Sequence, residues 1–422
     1  MTLALNFIDE NTSRDFFCAE MNRLADFCAD TYAVKFDKIC VGVSGGADSL
    51  SLLLLTKQWA DVNGAKLYCV TVDHQLRKES AEEALFVKNI CEENGIFHQT
   101  LVWQHEDNNI PHAKLENAAR EARYELLTQF CRKHDIHVIM TGHHWNDQLE
   151  TYEMRRDFHS SDSGLAGMSQ VRSLTSDILL VRPLLHFSKK HLQDFLKPTG
   201  IIWKEDPMNT QAEFLRVNYR RKIFAYDEQK IAEMSAKIMQ LGEHRRAIET
   251  AAVRFLKTGC EFTKYGYATL NKEKLLLEEN DVQREIFKRV IWTIGGKKYA
   301  TLVSDVIASK IILKKINTIG RCLIKHKKNK IYVFRENRNV PIVTVKGKSL
   351  KWDNRFLINF NVELSDCVVQ SSSPSKDVDI PREAYAGYPC ICKKGDNDAC
   401  IHDSGKYDIV FMKNANLFDV FV

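Results

Sequence analysis

The run Cys40-Val41-Gly42-Val43-Ser44-Gly45-Gly46-Ala47-Asp48-Ser49 sets two glycines, two hydroxyls and a carboxylate behind an apolar stretch. It reads as a buried strand, a tight turn and the first turn of a helix. Gly45 and Gly46 can take backbone angles closed to other residues and let a ligand approach the main chain. The unpaired N–H groups of a new helix, aided by its dipole, then favour an anion there. Ser44 and Ser49 add hydroxyl donors around Ala47. Asp48 would repel a bare phosphate, so it implies a bridging Mg²⁺ or a helix cap. No lysine follows the glycines, which excludes G-x-x-x-x-G-K-[ST], and G-x-G-x-x-G is absent too.

Other segments supply further polar groups. Val70 to Arg77 (VTVDHQLR) ends a strand in polar residues. Glu116, Arg120 and Arg123 are spaced i, i+4 and i+7, on one face of a helix. They read either as a structural ion pair or as guanidiniums posed for a phosphate or a base. His143 to Thr151 (HHWNDQLET) opens a helix. Adjacent histidines point in different directions and H-E-x-x-H is absent. His144, Asp147 and Glu150 therefore read as polar groups lining a crevice, not as zinc ligands. Trp203 to Asn209 (WKEDPMN) is a turn signal, with Arg216, Arg220 and Arg221 soon after. Cys390, Cys392, Cys400 and His402 do not have a standard zinc spacing and read as surface thiols.

Positioning these groups requires an alternating framework. Strands are expected at Lys38–Val43, Lys66–Val72, Phe97–Val102 and His137–Thr141. Helices are expected at Ser49–Val62, Glu79–Asn94, Lys114–His134 and Trp145–Arg156. Strands alternating with helices of this length imply a doubly wound α/β fold, its mostly parallel sheet covered on both faces, with ligand beyond the carboxyl ends of the strands. Phe158–Gly167 reads as a mobile loop. The expected division is 1–217 for the nucleotide-binding domain, 218–338 for a helical domain ending in a basic hairpin at Arg321–Glu336, and 339–422 for a small β-rich domain.

At 422 residues, two or three domains are expected. No apolar run is long enough to span a membrane, and Met1–Glu10 lacks the pattern of a secretory signal. Scattered cysteines such as Cys18, Cys28, Cys40, Cys69, Cys91 and Cys131 look like free thiols, so a cytoplasmic location is expected. Residues 310–355 hold fourteen Lys or Arg against Glu336 and Asp353, a net of +12; the chain totals +5, so the rest carries −7. With Tyr332, Phe334 and Trp352 interleaved, this segment is expected to meet a nucleic acid.

S-G-G-x-D-S after a strand resembles the PP-loop of the ATP pyrophosphatases, which split ATP to AMP and pyrophosphate. Ser44–Ser49, His74–Arg77, Glu116–Tyr124, His143–Thr151, Gly164–Met168 and Glu205–Asn209, in this order, together resemble the tRNA(Ile)-lysidine synthetase family. The resemblance covers roughly the first half of the chain. It departs at Val217, where the family often has asparagine, and a proline usual soon after is missing. The resemblance implies that ATP adenylates the ring carbonyl oxygen of the wobble cytidine in an isoleucine tRNA with a CAU anticodon. The side-chain amine of free L-lysine then attacks the same carbon and expels AMP. It implies ATP contacts at Ser44, Gly45, Gly46, Ala47, Asp48 and Ser49, with Mg²⁺ near Asp48. Asp147 would hold and deprotonate the amine, assisted by Glu150 or Glu116. Arg120 or Arg123 would orient the cytosine or the adenylate, and His144 would line the lysine and cytidine site. Three rival readings are a PP-loop tRNA thiolase, which looks for the C-x-x-C absent here, a PP-loop amidotransferase, which needs a glutaminase domain with a nucleophilic N-terminal cysteine or a separate triad, and a non-catalytic RNA-binding protein on the same fold.

Overall fold

The computed structural model describes residues 10–75, 79–104, 115–204, 215–364, 366–372, 381–394 and 406–420; for 10–12, 116, 215, 216 and 386 it describes the backbone alone. After α1 (Glu10–Tyr32), strand and helix alternate: β1 (Lys38–Gly42), α2 (Ala47–Asn63), β2 (Lys66–Asp73), α3 (Ser80–Glu93), β3 (Phe97–Val102), α4 (Leu115–His134), β4 (Val138–Met140), α5 (Trp145–Asp157). These match the eight expected elements to within a few residues. The chain continues through α6 (Asp162–Leu165), β5 (Val171–Ser173), β6 (Leu179–Val181), α7 (Lys189–Leu196), α8 (Leu215–Phe224) and α9 (Glu228–Thr258).

The first sheet has the order β3-β2-β1-β4-β6-β5. Every pair in it is parallel except β5 with β6. Ile39 and Val41 of β1 enter the core beneath α1, α2 and α7, whereas Cys40 enters the core beneath α4. A strand buried on both faces is apolar at every position, which is why β1 shows no alternation. From β1 the chain builds outward through β2 and β3, then returns to place β4 on the other side. The strand order therefore reverses between β1 and β4, and a crevice opens beyond their carboxyl ends.

The expected mobile loop at 158–167 is structured. It contains α6, and the Arg155 Nη1 donates to the carbonyls of Gly164 and Gly167, the latter at 3.2 Å. The chain divides into two compact units between Arg245 and Arg246, inside α9. The expected cut at 217/218 does not coincide with this. Leu149 of α5 packs with Ile223, Met234 and Ile238, and Ala166 packs with Leu241, so α8 and the start of α9 share apolar cores with the first unit.

The second unit is not purely helical before the hairpin. It includes β7 (Cys260–Phe262), β8 (Ala268–Asn271), α10 (Lys272–Leu276), α11 (Asn280–Gly295), α12 (Asp305–Ile312), β9 (Thr318–Ile319), β10 (Cys322–Lys327) and β11 (Lys330–Arg335). The expected hairpin is β10–β11, within an antiparallel sheet ordered β7-β8-β11-β10-β9. Two three-stranded sheets follow, built from β12 (Val343–Thr344), β13 (Ser349–Trp352), β14 (Phe356–Phe360), β15 (Cys367–Ser371), β16 (Pro389–Lys393) and β17 (Tyr407–Phe411). Each half has its own apolar core, so the expected cut at 338/339 falls between two cores of one unit. Cys390 and Cys392 lie buried in β16 and are not surface thiols, and Cys390 is disulfide-bonded. Cys400 and His402 lie outside the described residues.

Two of the basic residues expected to face nucleic acid are instead internal. Arg335 and Arg355 are 1% and 0% exposed, and Phe334 and Trp352 are also buried. The Arg335 Nε donates to Asp353 Oδ2 at 2.9 Å and the Arg355 Nε to the same oxygen at 2.8 Å. Their other nitrogens donate to the carbonyls of Glu336, Arg338 and Asn339, and of Gly266 and Gly387. A Cβ at Gly296 would come within 2.3 Å of the Asp353 carbonyl, so the chain there needs glycine.

Candidate active site at the switch point

The glycine turn follows β1 and residues 141–144 follow β4, so both edge the crevice. Gly45 has φ +84°, a conformation that an L side chain strains to adopt. The Ser49 Oγ accepts from the Ser44 N–H at 3.2 Å and donates to the Gly46 carbonyl at 3.0 Å. The turn is thus locked from within. Gly46 caps α2 without a side-chain contact, and Ala47 and Asp48 begin the helix. Asp48 is therefore not the cap.

The two edges touch. A Cβ on Gly142 would sit 3.0 Å from the Asp48 carbonyl carbon and oxygen and 3.1 Å from the Ser49 nitrogen. A side chain at Gly142 would force the α2 backbone to give by a few tenths of an ångström, and sequence reasoning did not single this glycine out. Just beyond it, the Nε2 of His144 lies 3.3 Å from Asp48 Oδ2 and 3.8 Å from Asp147 Oδ2. Asp147 Oδ2 also accepts from the His144 backbone N–H at 2.9 Å, which fixes the first turn of α5. One turn on, Glu150 Oε1 accepts from the Arg220 Nε at 2.8 Å. Three carboxylates thus face one guanidinium and one imidazole.

Electrostatics ties these groups together. Burial pushes the His144 imidazole down, but Asp147, Asp48 and Glu150 outweigh it and hold the value above the ordinary range. Burial likewise opposes the Arg220 charge, and Glu150, Asp147 and Asp48 overcome it. Two carboxylate oxygens, Asp48 Oδ1 and Glu150 Oε2, are buried with no hydrogen-bond partner among the described residues. Unpaired buried acceptors are costly, and a cationic ligand would satisfy them.

Residues 19–226 match the PP-loop domain family. The chain is 31% identical over 342 residues to the tRNA(Ile)-lysidine synthase of Rickettsia akari (strain Hartford), covering 79% of this chain and 78% of the relative. The chain belongs to the tRNA(Ile)-lysidine synthase family. The relative so named from Rickettsia prowazekii (strain Madrid E) matches at 31% over 342 residues, with the same shares of each chain. That from Orientia tsutsugamushi (strain Boryong) is 27% identical over 357 residues, covering 81% of this chain and 78% of the relative. Among solved structures, the U34-tRNA thiolase NcsA from Methanococcus maripaludis is similar at 13% identity and a TM-score of 0.43, over 53% of this chain and 79% of that one. As a member of the lysidine synthase family, the chain is an ATP-using, tRNA-modifying enzyme of the ligase type.

Of the residues expected to serve this family's chemistry, the structure brings Asp48, His144, Asp147 and Glu150 into one cluster beside the Ser44–Ser49 turn. Arg120 lies over the Tyr124 ring at 5.3 Å. The Arg123 Nη2 donates to His74 Nε2 at 3.4 Å, and the His74 ring stands edge-on to Trp103. Glu116 lies on α4, but its side chain is outside those described; so are residues 76–78, Glu205–Asn209 and the Arg216 side chain. Arg220 was expected only as part of a basic helix, yet it pairs with Glu150. The residue type announced a cation, but nothing in its local sequence announced that partner.

Proposed function

We propose that this chain joins free L-lysine to the wobble cytidine of an isoleucine tRNA bearing a CAU anticodon. The ring carbonyl oxygen attacks the α-phosphorus of ATP and pyrophosphate leaves. The lysine side-chain amine then forms a bond to the ring carbon, the carbon–oxygen bond breaks, and AMP carries the oxygen away. The observation that carries this reading is the pair of buried, unpartnered carboxylate oxygens at Asp48 and Glu150, set beside an anion-cradling turn. One end of the crevice suits a polyphosphate and the other a cation.

The turn at Ser44–Ser49 would bind the departing pyrophosphate through its backbone N–H groups and hydroxyls. The orphaned Asp48 Oδ1 fits a Mg²⁺ ion, which commonly takes one or two carboxylates and completes its shell with phosphates and water. When bound, that ion would neutralise charge on the phosphates. Freeing the lysine amine of its proton costs about 4–5 kcal/mol near pH 7, from an ordinary pKa of ~10.4. Glu150 Oε2 and Asp147 would bind the ammonium, and Asp147 would accept the proton. The Arg220 and His144 contacts hold both carboxylates aimed before substrate arrives. A tRNA backbone suits the exposed lysines of residues 310–355, and its affinity should then fall steeply with salt.

The test uses an unmodified isoleucine tRNA transcript bearing CAU, Mg-ATP and radiolabelled lysine, with elongator methionine tRNA as control. Label entering the first RNA and not the second is expected. AMP formation without label in either RNA would overturn lysine as the nucleophile.

A further inference from the structure

The carboxyl end of β6 leads into a second buried charged cluster that the reaction above does not use. Arg182 follows Val181 and is 3% exposed. Its Nη1 donates to the Ser169 carbonyl at 2.6 Å, and its Nε has no partner among the described residues. Among the described residues no carboxylate pairs with it. Its neighbours add to the positive charge. Burial pulls the guanidinium down to about 10, repulsion from Arg172 and Arg120 adds to this, and the Tyr124 hydroxyl opposes it. Strand geometry explains the grouping. Leu180 lies in the core beneath α4 and pairs with Arg172 of β5. Residues two apart share a face, so Arg182 follows Leu180 to the same side. The first turns of α4 bring Arg120 and Tyr124 to that side.

A buried guanidinium with a free N–H and two cationic neighbours, but no counter-ion among the described residues, is arranged for an anion. We propose that Arg182, supported by Arg120, Arg172 and Tyr124, binds the α-carboxylate of the amino-acid substrate. This rests on the lysine-transfer reading and adds to it a residue that selects an amino acid over a simple diamine. Three features favour carboxylate over phosphate. The planar fork of arginine matches a carboxylate with two parallel bonds. Nucleotide phosphates already have a cradle at Ser44–Ser49. The cation-seeking oxygens of Asp48 and Glu150 belong to α2 and α5, the helices that follow β1 and β4, and β6 is the next strand beyond β4. Neighbouring strands lie about 4.8 Å apart, so the acidic and basic poles are separated by roughly one to two strand spacings, the scale of one extended lysine.

The test compares L-lysine with L-lysinamide in the tRNA assay, and varies ATP separately, for the parent, Arg182→Gln and Arg182→Lys. The parent should favour lysine by about 100-fold in kcat/KM, as expected for one buried charge pair. Arg182→Gln should lose most of that preference, chiefly through the KM for lysine, while its KM for ATP stays within about twofold. Arg182→Lys should keep part of it. Ligand-free Arg182→Gln should melt no lower than the parent, because it removes an unpaired buried charge; a purely structural arginine would give a lower melting temperature. If Arg182→Gln does not fold, Arg172→Gln on the edge strand reads the same preference. A variant that keeps the full preference overturns the assignment. So does a raised KM for ATP with the preference intact, which would mark a phosphate site. A parent that transfers both amines equally overturns the carboxylate site alone. A parent that transfers neither, while still forming AMP, overturns the reaction and the site together.

Discussion

The two units each bury a cluster of charged side chains, and the clusters have opposite character. In the second unit, two guanidiniums enclose the single carboxylate of Asp353, and each of their terminal nitrogens also reaches a backbone carbonyl. In the first, Asp48, Asp147 and Glu150 outnumber Arg220 and His144, and two carboxylate oxygens are left unpaired among the described residues. Removing two charges from water is expensive, and geometry repays it only if all remaining hydrogen bonds are made. In the Asp353 cluster no side-chain nitrogen or oxygen lacks a partner within the chain. The Asp48–Glu150 cluster leaves two oxygens open among the described residues, as the proposed ligand site requires. Satisfied charge identifies a clamp and unsatisfied charge a site.

The contrast breaks most visibly at Asp353. Asp353→Ala would leave Arg335 and Arg355 buried without their anion, beside glycines that admit no rearrangement. We expect a loss of about 3–5 kcal/mol in stability, read by chemical denaturation, with lysine transfer per folded molecule within about twofold of the parent. A small stability loss would mean that the carbonyls alone hold the two arginines.

The mirror experiment is Asp147→Asn. The amide oxygen can still accept from the His144 N–H, so the turn should survive and melting should change little. Lysine transfer should fall by about 100–1000-fold, roughly 3–4 kcal/mol, because the amide cannot take a proton. ATP binding, followed by equilibrium titration, should remain nearly intact. Full activity in this variant would remove Asp147 from the chemistry, and a large stability loss would make its cluster a clamp like the other.

The two clusters were not equally legible in the sequence. The Asp48–Glu150 site could be found because its members sit in short polar runs directly after buried strands, where a doubly wound sheet must open. The Asp353 clamp was misread as part of a basic surface. Net charge over a window counts arginines without asking which way they point. Alternation held the missing signal: in Lys330–Arg335, Ile331 and Val333 face the core, and Arg335 is the next residue on that face. Arg182 was missed for the same reason, two residues beyond the buried Leu180. The pairing of Arg220 with Glu150 spans seventy positions, and no local pattern encodes such a contact. Gly142 is similar, since its need for a missing side chain comes from the helix that packs on it. The strands β5, β7 and β8 are only three or four residues long, too short for a periodicity to declare itself.

The smallest effect tests whether the unsatisfied site carries any internal stabilisation of its own. His144 sits between Asp48 and Asp147 with its value raised in the folded protein, despite the burial that opposes its charge. A raised value means that folding binds the proton more tightly than the unfolded chain does. The contribution is therefore complete below the unfolded value of about 6.5 and is lost as pH rises through the higher folded value. His144→Gln cannot carry that charge. Its stability deficit relative to the parent should be greatest near pH 5.5, about 1 kcal/mol, and should shrink by pH 8.5. Parallel denaturation curves at the two pH values give the comparison directly. A deficit that instead grew with pH would mean that His144 is held neutral, and the carboxylates around it would then have to be balanced by Arg220 alone.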